Sequence, residues 1–452
     1  MELEKTLEKT KIKDCIIEIF GLGYVGFPLA VRLAKSGFTV IGIDINPQRI
    51  ERLKNNILME SEMNLKNEFL HSRENNKLIL SELPEKSNKP KIAIVSVPTP
   101  IPSQNNPSSV FVKSAVKGFL ETSKAGDIII IESSIEAGTT DEIRRLIENK
   151  GFKVGENFGL AFCPERIDPQ NKKWTLENIP RVVYSSDDVT FQAIQKIYQY
   201  INNANLIRVA SPLVAEVVKS FENTFRLVNI SLVNELAVLC DKLKINVKDV
   251  IDAASTKPFG FIPFYPGAGA GGHCIPKDPT FLLESAKKFG FDFTTIQNAI
   301  MINSHMPKYI CNSIEQTIEE RGFKKSVIVC GLTYKPDMED MRDSPGFKVI
   351  SEFVSKSFQV SAYDPYFKEQ LRKKYLIENH MMDLEFDRLT DLSDDTLQHF
   401  SCICIVQHHT NTKFRLDEIY EKSLIPFIYD CQSKMIQNPS SMTILRLLGN
   451  RS

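Results

Sequence analysis

The first half of the chain alternates apolar runs with helical patterns. CIIEIF (residues 15–20) is typical of a buried strand, FPLAVRLAKSG (27–37) has helical periodicity with Gly37 as a C-cap, and FTVIGID (38–44) predicts a second strand. Further predicted strands are KIAIVSVP (91–98), DIIIIESS (127–134), NFGLAFCP (157–164) and IPRVVYS (179–185), with helical stretches such as TTDEIRRLIENKG between them. The polar segment 55–90 is expected to hold a helix and loops. The pattern predicts a doubly wound parallel sheet up to about residue 208.

The pattern changes at Ser211. Residues 211–245, SPLVAEVVKSFENTFRLVNISLVNELAVLCDKLKI, keep helical periodicity and contain no proline after Pro212. A helix of that length exceeds one Rossmann crossover, so we expect it to join two domains and to offer a dimer surface. The block from about 209 to 310 is expected to be helical, interrupted by a glycine-rich loop.

After Lys325 the strand and helix alternation returns. The runs are SVIVCGLTY (326–334), SPGFKVISEFVSKS (344–357), FQVSAYDP (358–365), SCICIVQH (401–408) and IPFIYDCQ (425–432). The predicted fold class is therefore α/β, with two Rossmann-like doubly wound domains joined by a long central helix and a helical middle domain. The expected domains are 1–208, 209–310 and 311–452.

A glycine fingerprint follows the first predicted strand. Gly21, Gly23 and Gly26 form GxGxxG between a strand and a helix, and the acid Asp44 lies 18 residues after the last glycine. In this context the motif is typical of a dinucleotide site, because glycines let backbone N–H groups approach a pyrophosphate at a helix N-terminus. Asp44 would bind the ribose hydroxyls and repel a 2′-phosphate, which favours NAD over NADP. A glycine turn without a cofactor is the alternative.

The last third of the chain repeats this order with fewer glycines. A strand, a turn at Gly331, a helix and a strand ending at the acid Asp364 follow one another. This order predicts a second Rossmann-like domain that binds a different nucleotide. A purely structural α/β cap is the alternative.

Charge and cysteine usage narrow the function classes. The formal net charge of zero argues against a broad electrostatic grip on nucleic acid or an anionic membrane. No apolar run reaches the roughly 18 residues needed to span a bilayer, and the charged N-terminus lacks a secretory apolar region. The nine cysteines form no CxxC pair and no zinc pattern, so we expect a reduced, cytoplasmic protein without a structural metal.

One cysteine stands apart from the others. Cys274 lies in GAGAGGHCIPKDP (267–279), among glycines and charges, whereas most of the others lie in apolar runs. An NAD fold and a loop thiol suggest an oxidation in which the thiolate adds to an aldehyde, becomes a thioester on loss of hydride, and is released by water. Such chemistry needs an oxyanion donor and a carboxylate.

Candidates for these helper roles are visible in the sequence. Lys219 and Asn223 lie at i and i+4 on one face of the long helix, and Asp278 follows Cys274 by four residues. Glu165 and Ser134 follow predicted strand ends, where α/β enzymes place catalytic groups. Each residue alone is more often an ordinary surface or helix-face residue, and their joint presence with Cys274 favours catalysis.

The residues resemble those of the nucleotide-sugar 6-dehydrogenases, the UDP-glucose/GDP-mannose dehydrogenase family. The resemblance covers nearly the whole chain and rests on seven motifs in order, which are GLGYVG (21–26), SVPTP (96–100), ESSIEAGTT (132–140), CPER (163–166), KSFEN (219–223), GGHCIPKDP (271–279) and GLTYKPDMEDMRDSP (331–345). It implies oxidation of a sugar C6 alcohol to a carboxylate with reduction of two NAD, and two Rossmann-like domains joined by a long helix. It also implies a UDP-sugar substrate and a homodimer or higher homo-oligomer.

The resemblance implies roles residue by residue. Cys274 would be the nucleophile, Lys219 and Asn223 would stabilise oxyanions, Asp278 would help to activate Lys219 or water, and Glu165 would serve the thioester stage. The NAD residues would be Gly21, Leu22, Gly23, Tyr24, Val25, Gly26, Asp44, Arg49, Pro98, Thr99, Ser134 and Arg342. The substrate residues would be Glu165, Arg166, Lys219, Asn223, Tyr265, Gly267, Gly269, Gly271 and Lys335, with the glycine loop closing on the sugar nucleotide.

Two departures from the family pattern bear on the substrate. Ser134 stands where the family usually has Thr, which keeps the hydroxyl, and Pro169 stands where UDP-glucose enzymes often have a second Glu. The motifs PERIDPQN, TKPFGFIPFYPG and GGHCIPKDP resemble most the branch that acts on UDP-N-acetyl-D-glucosamine. UDP-N-acetyl-D-mannosamine and UDP-glucose are the alternative substrates. An inactive homologue that binds NAD and a sugar nucleotide, and a two-electron hydroxyacid dehydrogenase, are the alternative functions.

Overall fold

The structure is a computed structural model that describes residues 12–100, 109–167, 171, 173–202, 205–272, 274–438 and 440–450. The chain divides into two compact units. The first unit contains residues 1–222 and 280–291, and the second contains 223–279 and 292–452. Two of the three cuts fall within helices, Pro212–Leu243 and Asp278–Lys288, and the third falls after Phe291. The expected boundaries at 208 and 310 stay a prediction.

The first unit is built around an eight-stranded sheet with the order β3-β2-β1-β4-β5-β6-β7-β8. Its strands are β1 (Ile16–Phe20), β2 (Thr39–Ile43), β3 (Leu78–Ser81), β4 (Lys91–Val95), β5 (Ile128–Ile131), β6 (Gly159–Phe162), β7 (Arg181–Ser185) and β8 (Leu206–Arg208). Its α-helices are α1 (Gly26–Lys35), α2 (Pro47–Lys54), α3 (Lys66–Glu74), α4 (Val110–Leu120), α5 (Thr139–Asn149) and α6 (Asp188–Tyr198). Short 3-10 turns lie at Ile12–Asp14 and Glu60–Leu65. Two clusters of buried apolar side chains cover its strands and helices.

Two features of this sheet differ from the sequence prediction. The edge strand β3 lies inside the polar segment where only a helix and loops were expected. Strand β7 runs antiparallel to β6, whereas the other neighbouring pairs of this sheet are parallel. A parallel neighbour needs a crossover connection that is usually helical, and no helix is assigned among the described residues between β6 and β7. The return without a helix therefore accounts for the reversed direction.

A long helix and three further helices lie between the two sheets in the sequence. They are α7 (Pro212–Leu243), α8 (Val247–Ser255), α9 (Asp278–Lys288) and α10 (Thr294–Arg321). The helix α7 has 32 residues, and the glycine-rich loop comes between α8 and α9. Both features agree with the helical periodicity of the sequence.

The second unit contains a six-stranded parallel sheet with the order β11-β10-β9-β12-β13-β14. Its strands are β9 (Ser326–Cys330), β10 (Gln359–Tyr363), β11 (Asp387–Arg388), β12 (Cys402–Ile405), β13 (Phe427–Asp430) and β14 (Ile444–Leu447). Its remaining helices are α11 (Pro345–Ser355), α12 (Arg372–Glu378), α13 (Asp394–Leu397) and α14 (Thr410–Glu421), with a 3-10 turn at Glu369–Leu371. The predicted fold class, with two Rossmann-like sheets and a helical middle region, is confirmed. Among the described helices, none is both long and apolar enough to cross a bilayer.

Candidate active site

The three fingerprint glycines of the first unit differ in their local environments. Gly21 has φ of +90°, and a Cβ there would lie 2.8 Å from the Ser96 carbonyl oxygen. A Cβ on Gly26 would lie 1.9 Å from the Gly21 oxygen, so this glycine lets α1 approach β1. A Cβ on Gly23 would meet no described atom within 4 Å. Gly23 thus opens onto unfilled space at the N-terminus of a helix, which fits a dinucleotide pyrophosphate.

The acid after β2 is tied to this loop. Asp44 accepts hydrogen bonds from the backbone N–H of Leu22 at 2.9 Å and from that of Asn46 at 2.9 Å. Arg49 donates from Nε to the Leu22 oxygen at 3.0 Å and forms an ion pair with the buried Glu62. The predicted cofactor residues Asp44 and Arg49 are therefore both fixed against the fingerprint loop, where they could hold the adenosine end of NAD.

Other predicted cofactor residues follow strands of the same sheet. Thr99 is buried and Pro98 is exposed, after β4, and the half-buried Ser134 comes three residues after β5. Its neighbour Ser133 donates to the Val97 oxygen at 2.8 Å and so joins the two loops. In the fingerprint loop Tyr24 is exposed and Val25 is half-buried.

Glu165 lies two residues after Cys163, which follows β6. Both oxygens of its carboxylate are bonded to other groups. Its Oε1 accepts the backbone N–H groups of Arg166 at 2.6 Å and Ile167 at 2.8 Å. Its Oε2 pairs with the guanidinium of Arg181, which is fully buried. This arrangement fixes the position of a residue that the sequence analysis proposed for catalysis.

The residues that surround Glu165 were not predicted as site residues. Glu132 and Arg181 form a buried ion pair with Nη1 and Oε1 2.6 Å apart, and the Tyr198 hydroxyl donates to the same Oε1. Burial raises the pKa of Glu132 despite the opposing effect of the Arg181 charge. Glu132 carries the signal that identified Glu165, an acid just after an apolar strand, but only Ser134 of its motif was assigned. Arg181, as a charge opening a buried strand, was also visible, whereas nothing in the sequence marks Tyr198.

Arg166 and Lys219 complete the predicted residues of the first unit. The Arg166 guanidinium forms an ion pair with Glu222 of α7 and donates to the Pro180 oxygen at 2.8 Å. Lys219 is half-buried and lies one turn before Asn223 on α7, as its spacing predicted.

Asn223, Cys274 and Asp278 are assembled within the second unit. The Asn223 amide donates to Asp278 Oδ2 at 2.6 Å, and the Asp278 N–H donates to the Cys274 oxygen at 2.9 Å. Asp278 is fully buried, and its Oδ1 has no hydrogen-bond donor among the described residues. Of the nine cysteines, all of them described, only Cys274 is exposed. Asp278 Oδ1 lies 3.9 Å from the Lys277 ammonium. The Asn223 amide and the Asp278 carboxylate are therefore held together, and the backbone of Asp278 is bonded to the residue that carries the accessible thiol.

The glycine-rich loop before Cys274 is fixed by its own unit. Gly267 N–H donates to Asn234 Oδ1 at 2.9 Å, and the Asn303 amide makes two hydrogen bonds to the backbone of Ala270, at 2.6 and 3.1 Å. A Cβ on Gly272 would lie 2.5 Å from the Tyr334 ring, and Gly272 has φ of +85°.

The other glycines of the loop fall into two groups. A Cβ on Gly271 would lie 2.6 Å from the Asp343 oxygen, and one on Gly269, with φ of +114°, would lie 3.0 Å from the Asn303 oxygen. A Cβ on Gly267 would meet no described atom within 4 Å. Packing therefore accounts for glycine at 269, 271 and 272, and Gly267 alone of these four faces open space.

The remaining predicted residues of the second unit lie near this loop or follow β9. The Arg342 oxygen accepts the Gly272 N–H at 3.0 Å, and the Arg342 guanidinium is paired with Asp340 at 2.6 Å. Lys335 is half-buried, and its oxygen accepts from the Thr333 hydroxyl at 2.7 Å. Tyr265 is exposed and its hydroxyl lies 3.3 Å from Asp252. His273 and Pro169, noted in the sequence, lie outside the described residues.

The second sheet repeats the glycine geometry of the first, but the acid that follows its strand β10 is buried. Gly331 has φ of +91°, and a Cβ on Gly346 would lie 2.7 Å from the Gly331 oxygen. In the same way, a Cβ on Gly26 would overlap the Gly21 oxygen in the first unit. Asp364 is buried and accepts the N–H groups of Leu332 and Thr333 at 2.6 and 3.1 Å. Asp44 likewise accepts the Leu22 N–H of its own loop, but it is only half-buried, whereas Asp364 Oδ2 also lies 3.0 Å from His409 Nε2. The acid of the second sheet is therefore less accessible to the ribose hydroxyls of a nucleotide.

Comparison with known protein families covers three consecutive parts of the chain. Residues 15–202 match the NAD binding domain of the UDP-glucose/GDP-mannose dehydrogenase family, residues 213–305 match its central domain, and residues 328–437 match its UDP binding domain. The assignment of NAD to the first sheet is thereby confirmed, and the second sheet is assigned a UDP-sugar.

Individual relatives agree with this assignment. The chain is 36% identical over 373 residues to UDP-N-acetyl-D-mannosamine dehydrogenase of Methanococcus aeolicus, covering 82% of both chains. It is 34% identical over 370 residues to UDP-N-acetyl-D-glucosamine 6-dehydrogenase of Salmonella typhi, covering 80% of this chain and 85% of that one. The solved structure of a UDP-D-ManNAc dehydrogenase from Pyrococcus horikoshii superposes with a TM-score of 0.83 at 29% identity, covering 96% of this chain and 99% of that chain. The chain therefore belongs to the UDP-glucose/GDP-mannose dehydrogenase family and is an NAD-dependent nucleotide-sugar dehydrogenase.

Proposed function

We propose that the protein oxidises the C6 alcohol of a UDP-N-acetylhexosamine to the carboxylate, through a covalent intermediate on Cys274. The observation that supports this proposal is the position of Cys274, the one exposed thiol of the nine, next to Asp278, which hydrogen-bonds both the Cys274 backbone oxygen and the Asn223 amide. A dehydrogenase that stops at the aldehyde or ketone has no use for such a thiol.

The residues divide the chemistry into two oxidations and a hydrolysis. When bound, NAD accepts a hydride from C6 in each oxidation. The Cys274 thiolate adds to the aldehyde, and Lys219 and Asn223 stabilise the resulting oxyanion. Asp278 orients the Asn223 amide, since its carboxylate takes one of the two amide hydrogens. Glu165 takes a proton from the water that cleaves the thioester, which returns the thiolate.

Two epimers are candidates for the sugar. The motifs around Glu165 and Cys274 favour UDP-N-acetyl-D-glucosamine, while relatives named for the manno epimer support UDP-N-acetyl-D-mannosamine as the second candidate. Purified protein assayed with NAD and each sugar, with UDP-glucose as a third substrate, separates these cases. We expect kcat/KM to be highest for the gluco epimer by roughly tenfold or more. Turnover of the manno epimer alone would keep the mechanism and change the substrate.

We also infer that the protein is a homodimer joined along α7. Apart from Leu213, the exposed apolar side chains of this helix follow spacings of three, four and seven residues, which place them on one face, and they are Val214, Val217, Phe221, Phe225, Leu232, Leu239 and Leu243. A continuous apolar face on a helix about 48 Å long is typical of a partner surface, and a second copy is the commonest partner for such a face.

A further inference from the structure

We propose that Arg181 is a positioning residue for the hydrolysis of the Cys274 thioester, and that Glu132 balances its charge against Glu165. The inference rests on the proposed function, because it concerns the last step of that reaction. It assigns roles to two buried residues that the sequence analysis did not name as site residues, although Glu132 opens the ESSIEAGTT motif.

The first argument is the geometry of the shared guanidinium. Arg181 opens β7 and points its Nη1 to Glu132 at 2.6 Å and its Nη2 to Glu165. One planar cation thus bridges two carboxylates that follow β5 and β6, an arrangement for which the fork of arginine is suited and the point charge of lysine is not. The Tyr198 hydroxyl and the Ser96 hydroxyl, 3.1 Å from Oε2, hold Glu132 in turn.

The second argument is the number of acceptor positions left on Glu165. A carboxylate offers about four lone-pair positions, two on each oxygen. Oε1 uses two for the N–H groups of Arg166 and Ile167, and Oε2 uses one for Arg181. Oε2 therefore keeps one position, so this oxygen is the one that can accept a proton from water.

The third argument is the balance of charge. Two carboxyl groups share one guanidinium in a buried cluster. Burial raises the pKa of Glu132, the Arg181 charge opposes this rise, and the nearby Glu165 carboxyl adds to it. The other titratable groups around the cluster are Cys163, 3.8 Å from Arg181 Nη1, and Tyr198, while Arg166 forms its own pair with Glu222.

In the hydrolysis step, water loses a proton to Glu165 Oε2 as its oxygen bonds to the thioester carbon. The carbon–sulfur bond then breaks and its electron pair returns to Cys274 as the thiolate. Arg181 aims Glu165 before the step, and Glu132 shares the guanidinium that Glu165 would otherwise hold alone. Removing either partner slows this step, but the two removals move its pH dependence in opposite directions.

The experiment measures thioester hydrolysis as a function of pH in Glu132→Gln and Arg181→Met proteins. Acid-quenched samples with NAD and UDP-N-acetylhexosamine are analysed by peptide mass spectrometry for the acyl group on Cys274. We expect the hydrolysis rate to fall by roughly 100-fold in each variant. The midpoint of the acid limb should move by about one pH unit, downward for Glu132→Gln and upward for Arg181→Met. Arg181→Lys should restore the midpoint without restoring the full rate.

Lys91→Met is the matched control. Lys91 forms a buried pair with Glu18 at 3.1 Å and opens β4 as Arg181 opens β7, but its partner Glu18 lies within β1 and is not a predicted site residue. This variant should lose stability while keeping the pH profile and the thioester level of the wild type. If Arg181→Met does not fold, Glu132→Gln alone decides the outcome. An unchanged midpoint in Glu132→Gln would overturn the inference, whereas a wild type without any acyl–Cys274 species would overturn the proposed function itself.

Discussion

At the scale of single residues, the glycines of one motif have different structural roles. Gly21 and Gly26 are required by close backbone contacts, and Gly23 is not. The sequence motif predicted the site but could not separate these roles, because the contacts of Gly21 with Ser96 join strands that are far apart in the chain. Glu132 and Arg181 each carry a local signal in the sequence, but their pairing with Glu165 could not be predicted, since it depends on the direction of β7.

Gly23→Ala is expected to fold normally and to lose cofactor affinity. The added methyl group meets no described atom within 4 Å, so the free energy of unfolding should change by no more than about 0.5 kcal/mol. NAD affinity, measured by calorimetry, should fall roughly tenfold or more because the methyl group fills the space that fits the pyrophosphate. Gly26→Ala is the matched control, and should instead lose stability, by roughly 1–3 kcal/mol. Equal NAD affinity in wild type and Gly23→Ala would place the cofactor elsewhere.

Asp127 should make stability depend on pH. Burial raises the pKa of this carboxyl from its ordinary 3.8 to about 6, against the hydrogen bonds from the N–H groups of Lys91 and Lys124. The folded chain holds the proton more tightly than the unfolded chain, so the contribution is complete below about pH 4 and is lost as the pH rises through 6. Relative to Asp127→Asn, the free energy of unfolding of the wild type should fall by about 2 kcal/mol between pH 4.5 and 7.5.

Urea unfolding at the two pH values measures this difference. Glu148→Gln, at an exposed acid of α5, is the control and should follow the wild type at both. A difference between wild type and Asp127→Asn that does not vary with pH would show that Asp127 is ionised throughout.

At the scale of elements, hydrophobic periodicity predicted most strands and the long helix, and it failed where tertiary contacts decide. The strand β3 is a four-residue edge strand with alternating burial inside a polar segment, which gives little local signal. The strand β7 was predicted as a strand but not in its antiparallel direction, because direction depends on the connection and not on periodicity.

The glycine loop before Cys274 gives an element-scale prediction. Gly272→Ala should destabilise the protein by roughly 1–3 kcal/mol, because its methyl group would overlap the Tyr334 ring at a positive φ. Gly267→Ala should leave stability unchanged and raise KM for the sugar nucleotide, because Gly267 faces open space. Thermal unfolding and steady-state kinetics on both variants test this contrast. An unaltered KM in a stable Gly267→Ala protein would remove Gly267 from the substrate residues.

At the scale of the whole molecule, the order of two Rossmann-like sheets around a helical region was predictable from the sequence, as was NAD. The burial and bonding of Asp364 were not predictable, because the sequence shows the same order of strand and acid in both halves. Both acids accept a loop N–H group, so burial and the contact with His409 distinguish Asp364 from Asp44.

The apolar face of α7 predicts the oligomeric state. Leu232→Glu and Leu239→Glu place charges on side chains that are 64% and 50% exposed in the single chain. We expect the wild type to have the mass of a dimer by light scattering and the double variant to have the mass of a monomer, since buried unpaired charges oppose association. Glu148→Gln again serves as the control. A monomeric wild type would contradict the assignment of this face.

The most direct test of the account is the ratio of NADH formed to sugar acid formed. Purified protein is incubated with NAD and UDP-N-acetylhexosamine, and NADH absorbance and the acid are quantified for wild type and for Cys274→Ala. We predict two NADH for each acid in the wild type and a rate reduced by roughly 1000-fold or more in Cys274→Ala, with sugar-nucleotide binding retained. One NADH for each product, with Cys274→Ala fully active, would contradict the covalent four-electron mechanism.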